Sequence, residues 1–322
     1  MKKLNAVILD SATLGDDVTL EPFDCLPLNL EIHEKTGPVE VAGRIAEAEI
    51  LICNKVVITR EHMAGAPRLK YIGVLATGMN NIDRQAAVEF GIEVRNVERY
   101  GTASVAQHTM AMMLTLANSL PAYSRDATNG TWAGSDMFCL LDHPLMELNG
   151  KTLLVIGYGD LGKEVARMAE AFGMKILKAR VPGSSSMKDR VDLEEGLAQA
   201  DVVSLHCPLT EQTSNLLDAR RLSLMKPSAL LVNTARGGLV NEQALVDALL
   251  SGKLGGAGFD VLTGEPPRNG NVLIDAVKEH KLPNLIITPH CAWGTQEARQ
   301  RLVNLAMENL ADFIVKAGQL LL

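Results

Sequence analysis

The sequence predicts an α/β protein made of two doubly wound parallel sheets. Three observations predict it. Short β-branched apolar runs alternate with helical stretches in both halves of the chain. A glycine-rich turn, Gly157 to Gly162, joins a strand to a helix near the middle. Polar residues gather just past the carboxyl ends of strands in the second half.

In the first half, Ala6-Val7-Ile8-Leu9, Ile50-Leu51-Ile52, Tyr71-Ile72-Gly73-Val74-Leu75 and Ile92-Glu93-Val94 read as strands, with helical stretches over 41–48 and 82–90. Gly101 to Leu120 reads as a helix that is apolar nearly all round, through Val105, Met110, Met112, Met113, Leu114 and Leu116, and therefore as a buried one at a domain or subunit interface. Asn118 to Asn149 reads as a loop-rich segment bearing Tyr123, Trp132 and Phe138, suited to an arm that grips a second subunit.

In the second half the strands are Thr152-Leu153-Leu154-Val155-Ile156, Met174 to Ala179, Asp201 to His206, Ala229 to Asn233, Gly258 to Val261 and Leu285 to Thr288. A helix covers 241–250, and the last one runs from Thr295, a good N-cap, to about Lys316. That last helix is expected to return to the first domain. The domains then read as 1–99 with 292–322, and 100–291.

The strand over 152–156, the turn Gly157-Tyr158-Gly159-Asp160-Leu161-Gly162 and a helix with Val165, Ala166, Met168, Ala169 and Phe172 at helical spacing form a dinucleotide-binding fingerprint. Gly157 permits the tight turn, Gly159 lets backbone approach a pyrophosphate, and Gly162 lets the helix pack on the strand. The pyrophosphate then meets free N–H groups and the positive end of the helix dipole. A plain strand-to-helix turn is the competing reading, weakened by the legible flanks.

An NAD site expects an acid roughly 20 residues further on, to bind the ribose 2′-OH. Here the next strand ends in Arg180-Val181-Pro182-Gly183-Ser184-Ser185-Ser186, with no carboxylate before Asp189. A guanidinium at Arg180 suits a 2′-phosphate, and the serine hydroxyls add donors, so NADP(H) is expected ahead of NAD(H). An exposed loop arginine beside a serine tract is the alternative.

Composition excludes several classes. At 322 residues the chain can hold two cores, and 47% of it is apolar. A net charge of −7 without a basic run argues against nucleic acid and membrane surfaces. No apolar run approaches the roughly 18 residues that span a bilayer, and the amino terminus leads into a strand, so a cytoplasmic protein is expected. The cysteines (Cys25, Cys53, Cys139, Cys207, Cys291) are scattered and odd in number, which indicates neither a disulfide frame nor a metal site.

Arg236, Asp260, Glu265 and His290 all follow strand ends on the sheet edge where the fingerprint would place a dinucleotide. That set suits hydride transfer at a carbonyl carbon. Arg236 can fork a substrate carboxylate and polarise the carbonyl. His290 can exchange a proton with the oxygen. Glu265 can orient His290 and favour its protonated form. Taken singly, each has a plain structural reading; together at one edge they do not. In the first half, Leu75 to Asn81 leaves a strand end with backbone N–H groups that could hold an anion, or is a connecting turn. Asn54 also follows a strand end.

At these residues the chain resembles the D-isomer-specific 2-hydroxyacid dehydrogenase family over nearly its whole length. The resemblance rests on the 157–162 turn, on His206-Cys207-Pro208-Leu209-Thr210, on Asn233-Thr234-Ala235-Arg236-Gly237-Gly238, on Phe259-Asp260-Val261 with Gly264-Glu265-Pro266-Pro267, and on Pro289-His290. Ala76-Thr77-Gly78-Met79-Asn80-Asn81-Ile82-Asp83 and Pro289-His290-Cys291-Ala292-Trp293 point to its glycerate dehydrogenase and hydroxypyruvate reductase branch. It implies two Rossmann-like domains with the active site in the cleft between them, usually as a homodimer. It implies Arg236, Glu265 and His290 as the catalytic set. Thr102, Cys207, Pro208, Thr213, Thr234, Ala235, Asp260 and Ala292 would line the cofactor, with Asp260 holding the nicotinamide carboxamide. Asn54 and the backbone of Ala76, Thr77 and Gly78 would join Arg236 and His290 at the substrate. Trp293 would be a bulky wall that limits substrate size, so a small 2-keto acid such as hydroxypyruvate or glyoxylate is expected. Formate or phosphite oxidation, and a dinucleotide-sensing corepressor, are the alternatives carried by the same frame.

Overall fold

The computed structural model describes residues 3–184, 188–279 and 282–318. The chain divides into two compact units, Met1–Gly101 with Gly294–Leu322, and Thr102–Trp293. Each crossing lies two residues beyond the expected one (101 against 99, 293 against 291).

The first unit holds five parallel strands: β1 (Leu4–Ile8), β2 (Leu28–Ile32), β3 (Ile50–Cys53), β4 (Tyr71–Val74) and β5 (Glu93–Asn96), in the order β2-β1-β3-β4-β5. The inner strands β3 and β4 are buried along their whole length, which is why they read as continuous apolar runs. β2 was not expected from the sequence. It is an edge strand that alternates apolar and polar residues, with Ile32 left exposed, so it carries no apolar run to detect. The helix Gln296–Lys316 closes this unit: Phe313 lies 4.9 Å from the Tyr71 ring, and Arg95 reaches Asp312 at 2.7 Å. Thr295 caps it by accepting from the Ala298 amide.

The second unit holds six parallel strands: β6 (Thr152–Ile156), β7 (Lys175–Lys178), β8 (Val202–Leu205), β9 (Leu230–Asn233), β10 (Gly256–Phe259) and β11 (Leu285–Ile287). Their order is β11-β10-β9-β8-β6-β7. β6 pairs with both β7 and β8, so the winding direction reverses beside β6. Crevices at such reversals are where open α/β sheets bind ligands. Alternate residues feed two cores. Leu154, Ile156, Val203 and Leu205 face one side. Leu153, Val155, Val202 and Val232 face the other, where Met110, Met112, Met113 and Leu116 cover them.

Those methionines belong to the helix Thr102–Ala117. Its apolar surface packs on the sheet of its own unit, and the exposed stripe is Ala103, Gln107 and Ala111. The expectation of a helix apolar nearly all round is corrected to this extent: alanines supply an exposed face that hydrophobicity alone does not reveal. The segment 118–149 is loop-rich, as expected, and also holds one helix. Leu120–Thr128 is a helix with Pro121 in its first turn, where a missing N–H costs nothing.

Candidate active site

The turn after β6 carries the fingerprint. Gly157 has φ +98°, and a Cβ there would lie 2.4 Å from the Cys207 amide nitrogen. A Cβ at Gly162 would lie 2.1 Å from the Gly157 carbonyl oxygen. Both are therefore glycine for reasons internal to the chain. Gly159 is different: a Cβ there meets nothing within 4 Å, and it begins the helix Asp160–Ala171 without any side-chain cap. Open space before uncapped helix N–H groups fits a dinucleotide pyrophosphate. Tyr158, Asp160 and Leu161 complete the turn.

His206 and Cys207 follow β8, and the turn is tied by Thr213. That side chain is buried, donates to the Pro208 carbonyl at 2.7 Å and accepts from the Thr210 amide at 2.8 Å, so its hydroxyl serves the turn itself. Thr234, after β9, is buried and meets the Thr109 hydroxyl at 2.9 Å. The Ala235 amide donates to Asn233. Arg236 is exposed, with Nη1 donating to the Ala235 carbonyl at 2.6 Å. A Cβ at Gly237 would lie 2.0 Å from the backbone of Leu262, so this glycine lets the Arg236 loop pass against the loop that carries Glu265.

Asp260, directly after β10, is 1% exposed and organises the loop after β11. Its Oδ1 accepts from the Thr288 hydroxyl at 2.6 Å and the Cys291 amide at 2.9 Å, and Oδ2 accepts from the Ala292 amide at 2.9 Å. An ionised carboxylate has about four acceptor positions, so Oδ2 keeps capacity for one more donor. His108, on the helix Thr102–Ala117, meets the Thr288 hydroxyl through Nε2 at 3.0 Å. Since that hydroxyl donates to Asp260, His108 must be the donor to it. Among the described residues, His108, Asp260 and Cys291 alone form a cluster with metal-ligand spacing, and the Asp260 oxygen facing it is already occupied by these donors.

The same loop holds His290 at φ +53°, a left-handed conformation that a non-glycine residue adopts only when its surroundings impose it. The His290 amide donates to the Asp260 and Thr288 carbonyls, and its own carbonyl accepts from the Trp293 indole at 2.9 Å. Its Nδ1 lies 2.6 Å from Glu265 Oε2, with about a third of each side chain exposed. Glu265 Oε1 accepts from the Leu262 amide at 2.7 Å. Burial opposes ionisation of Glu265, but the hydrogen bonds from His290 and Leu262 and the nearby Arg236 charge outweigh it, leaving the carboxyl below its ordinary value. Burial and the Asp260 charge push the Cys291 thiol up, which keeps it protonated and unsuited to nucleophilic work.

Arg180 is exposed beyond β7. Of the serines expected beside it, Ser185 and Ser186 lie outside the described residues. Thr102 opens its helix, at the start of this unit. In the other unit, Asn54 follows β3. Its amide donates to Asp10 Oδ1, and its side chain, nearly fully buried, donates to the Thr13 hydroxyl at 2.9 Å. Ala76, Thr77 and Gly78 follow β4; among the described residues none of their amides donates to a protein acceptor. Sequence reasoning missed His108 and Thr288. For His108 the signal was the polar run Gln107-His108-Thr109 within a largely apolar helix.

Residues 110–292 match the family described as D-isomer specific 2-hydroxyacid dehydrogenase, NAD binding domain. A glycerate dehydrogenase of Methylorubrum extorquens is 43% identical over 314 residues, 97% of each chain. A hydroxypyruvate reductase of Blautia hydrogenotrophica is 39% identical over 87% of this chain and 86% of its own. The crystal structure of the TT0316 protein from Thermus thermophilus superposes with a TM-score of 0.82 at 34% identity, covering 98% of both chains.

Proposed function

The chain belongs to the D-isomer specific 2-hydroxyacid dehydrogenase family, and on that premise we propose that it reduces hydroxypyruvate or glyoxylate, with NADP(H) preferred over NAD(H). It is an oxidoreductase that acts on the CH–OH group of donors with NAD(P). The observation that carries the reading is the 2.6 Å contact of His290 with Glu265, on the sheet edge that also bears the Gly157–Gly162 turn. The relatives named for glycerate and hydroxypyruvate support the substrate.

When bound, the nicotinamide supplies or takes up the hydride. With Nδ1 committed to Glu265, His290 has Nε2 left to hold the proton that goes to the substrate oxygen during reduction and returns during oxidation. Glu265, kept ionised, accepts from Nδ1 and fixes the ring orientation. Arg236 binds the substrate carboxylate and draws charge toward the developing alkoxide. Asp260 holds the His290 loop in register and offers its remaining Oδ2 position to the carboxamide. In the other unit, the amides of Ala76, Thr77 and Gly78 offer donors to a carboxylate, and the Asn54 amide shapes the neighbouring turn.

Two further parts of the reading have separate supports. A homodimer is supported by Leu120, Trp132, Met137, Phe138, Leu141 and Leu145, large apolar side chains left exposed in one segment. A cytoplasmic setting is supported by five free cysteines. Among the described residues no helix is long and apolar enough to cross a membrane.

The test is initial rates of hydroxypyruvate and glyoxylate reduction, each with NADPH and NADH at matched concentrations. Fast turnover with NADPH supports both parts of the reading. Preference for NADH retains the enzyme and discards the cofactor preference. No turnover with either substrate, in a protein that binds the cofactor, removes the substrate assignment.

A further inference from the structure

The aromatic residue inside the glycine turn is surrounded by positive charge. Lys178 Nζ lies 4.7 Å from the centroid of the Tyr158 ring, and Arg190 Cζ lies 5.2 Å from it. Arg190 is distant in sequence from the turn and was not among the residues expected from it. A short parallel bridge brings it there. Ala179 pairs with Val191, the Arg180 amide donates to the Val191 carbonyl, and the Val191 amide donates to the Lys178 carbonyl, each at 2.9 Å. The chain at 190–192 therefore runs alongside 178–180. Side chains alternate along such a pair, so Lys178 and Arg180 fall on one face and Arg190 falls on the matching one.

Among the described residues, none of Lys178, Arg180 and Arg190 forms an ion pair. The neighbouring acid, Asp192, is used as a helix cap and accepts from the Glu194 and Glu195 amides. Among the described residues, Asp189, next to Arg190 in sequence, forms no ion pair with this group either. The group stands at the carboxyl end of β7, beside the β6 turn, where the adenosine ribose of a dinucleotide lies when its pyrophosphate occupies the helix N-terminus. A ribose 2′-OH wants a carboxylate acceptor there; a 2′-phosphate dianion wants guanidinium forks.

We propose that Arg190 is a cofactor-specificity residue that grips the 2′-phosphate together with Arg180, and that the Tyr158 ring holds Arg190 in position. The proposal rests on the reading of Gly157–Gly162 as a dinucleotide turn and deepens the NADP(H) preference by naming its second anchor. Lys178 adds charge to the same face. The ring contact gives Arg190 a fixed direction before any ligand arrives, which lowers the ordering cost of binding.

The experiment compares 2′,5′-ADP with 5′-AMP by calorimetry on the full chain, with NADPH and NADH titrated by fluorescence alongside. Neither adenosine nucleotide can undergo hydride transfer, so the readout is independent of turnover. In the wild type, 2′,5′-ADP should bind about ten- to hundredfold more tightly than 5′-AMP, the range of a charge-assisted fork. Arg190→Ala should remove about tenfold of that preference and leave 5′-AMP unchanged. Tyr158→Leu should remove part of it, and Tyr158→Phe, which retains the ring face, should restore it. An Arg190→Ala protein with the wild-type ratio overturns the proposal while the NADP(H) reading stands. A wild type that binds both nucleotides equally, or neither, overturns the NADP(H) reading and the proposal together.

Discussion

His290 Nδ1 stands 2.6 Å from Glu265 Oε2, and the two residues come from different loops at the carboxyl ends of adjacent strands. The contact exists because the Asp260 and Thr288 carbonyls hold the His290 amide, and with it a left-handed backbone, in place. Asp260 thus holds this loop twice, through its backbone carbonyl to the His290 amide and through its carboxylate to the Cys291 and Ala292 amides.

Replacing His290, the proposed proton donor, should separate chemistry from binding. His290→Ala is expected to lower the reduction rate by about 10²–10⁴-fold, with cofactor affinity, read by fluorescence titration, within a factor of two or so. Unchanged turnover would take His290 out of the mechanism.

Glu265→Gln tests the partner. Because the Glu265 pKa is lowered in the folded protein, its contribution is present above the ordinary carboxylate range and is lost as pH falls through the lowered value. The variant lacks the charge proposed to orient His290, so it should also lose rate at neutral pH, by about tenfold or more. Its stability should also depend less on pH in the acid range than that of the wild type, as measured by urea unfolding. Parallel stability curves for the two proteins would contradict the assignment.

Arg236→Ala should raise KM and lower kcat together, since in the proposed mechanism the guanidinium serves both ground state and transition state. Arg236→Lys should recover charge but not the bidentate geometry, and so recover affinity more than rate. A change confined to cofactor affinity is the outcome that excludes a role at the substrate.

The three glycines of the turn should respond differently. Gly162→Ala drives a methyl into the Gly157 carbonyl and should destabilise the fold by about 1–3 kcal/mol or more. Gly159→Ala meets open space, so its thermal midpoint should stay close to that of the wild type while dinucleotide affinity falls. Equal loss of stability in both variants would mean that Gly159 also serves the fold.

His206 supplies a pH test of stability away from the reaction. Its Nε2 meets the Ser204 hydroxyl at 2.8 Å, its Nδ1 is buried without a partner among the described residues, and burial lowers its pKa to about 4. The unfolded chain takes up a proton below about 6.5, whereas the folded one stays neutral until about 4. Stability should therefore fall with pH across that window, by on the order of 3 kcal/mol, and level off below it. Urea unfolding at pH 7.5 and pH 5 should show a smaller difference for His206→Gln than for the wild type.

Much of this protein was readable along the chain because the relevant physics is local. An inner parallel strand is buried on both faces, so β6, β8 and β9 announce themselves as apolar runs ended by polar residues. The turn at Gly157 and Gly162 is dictated by close backbone approach that no side chain permits. Thr295 and Asn241 mark helix starts because their side chains accept the first free amides. The edge strand β2 and the helix after Pro121 escaped because an exposed strand has no apolar run and a first-turn proline resembles a break. What no local pattern contained is the convergence of residues distant in sequence. His108 reaches Asp260 through Thr288, Glu265 reaches His290, and Arg190 comes beside Tyr158 through a bridge to Ala179. Strand order and loop path set those contacts, and each is held by hydrogen bonds between segments that only the folded sheet makes neighbours.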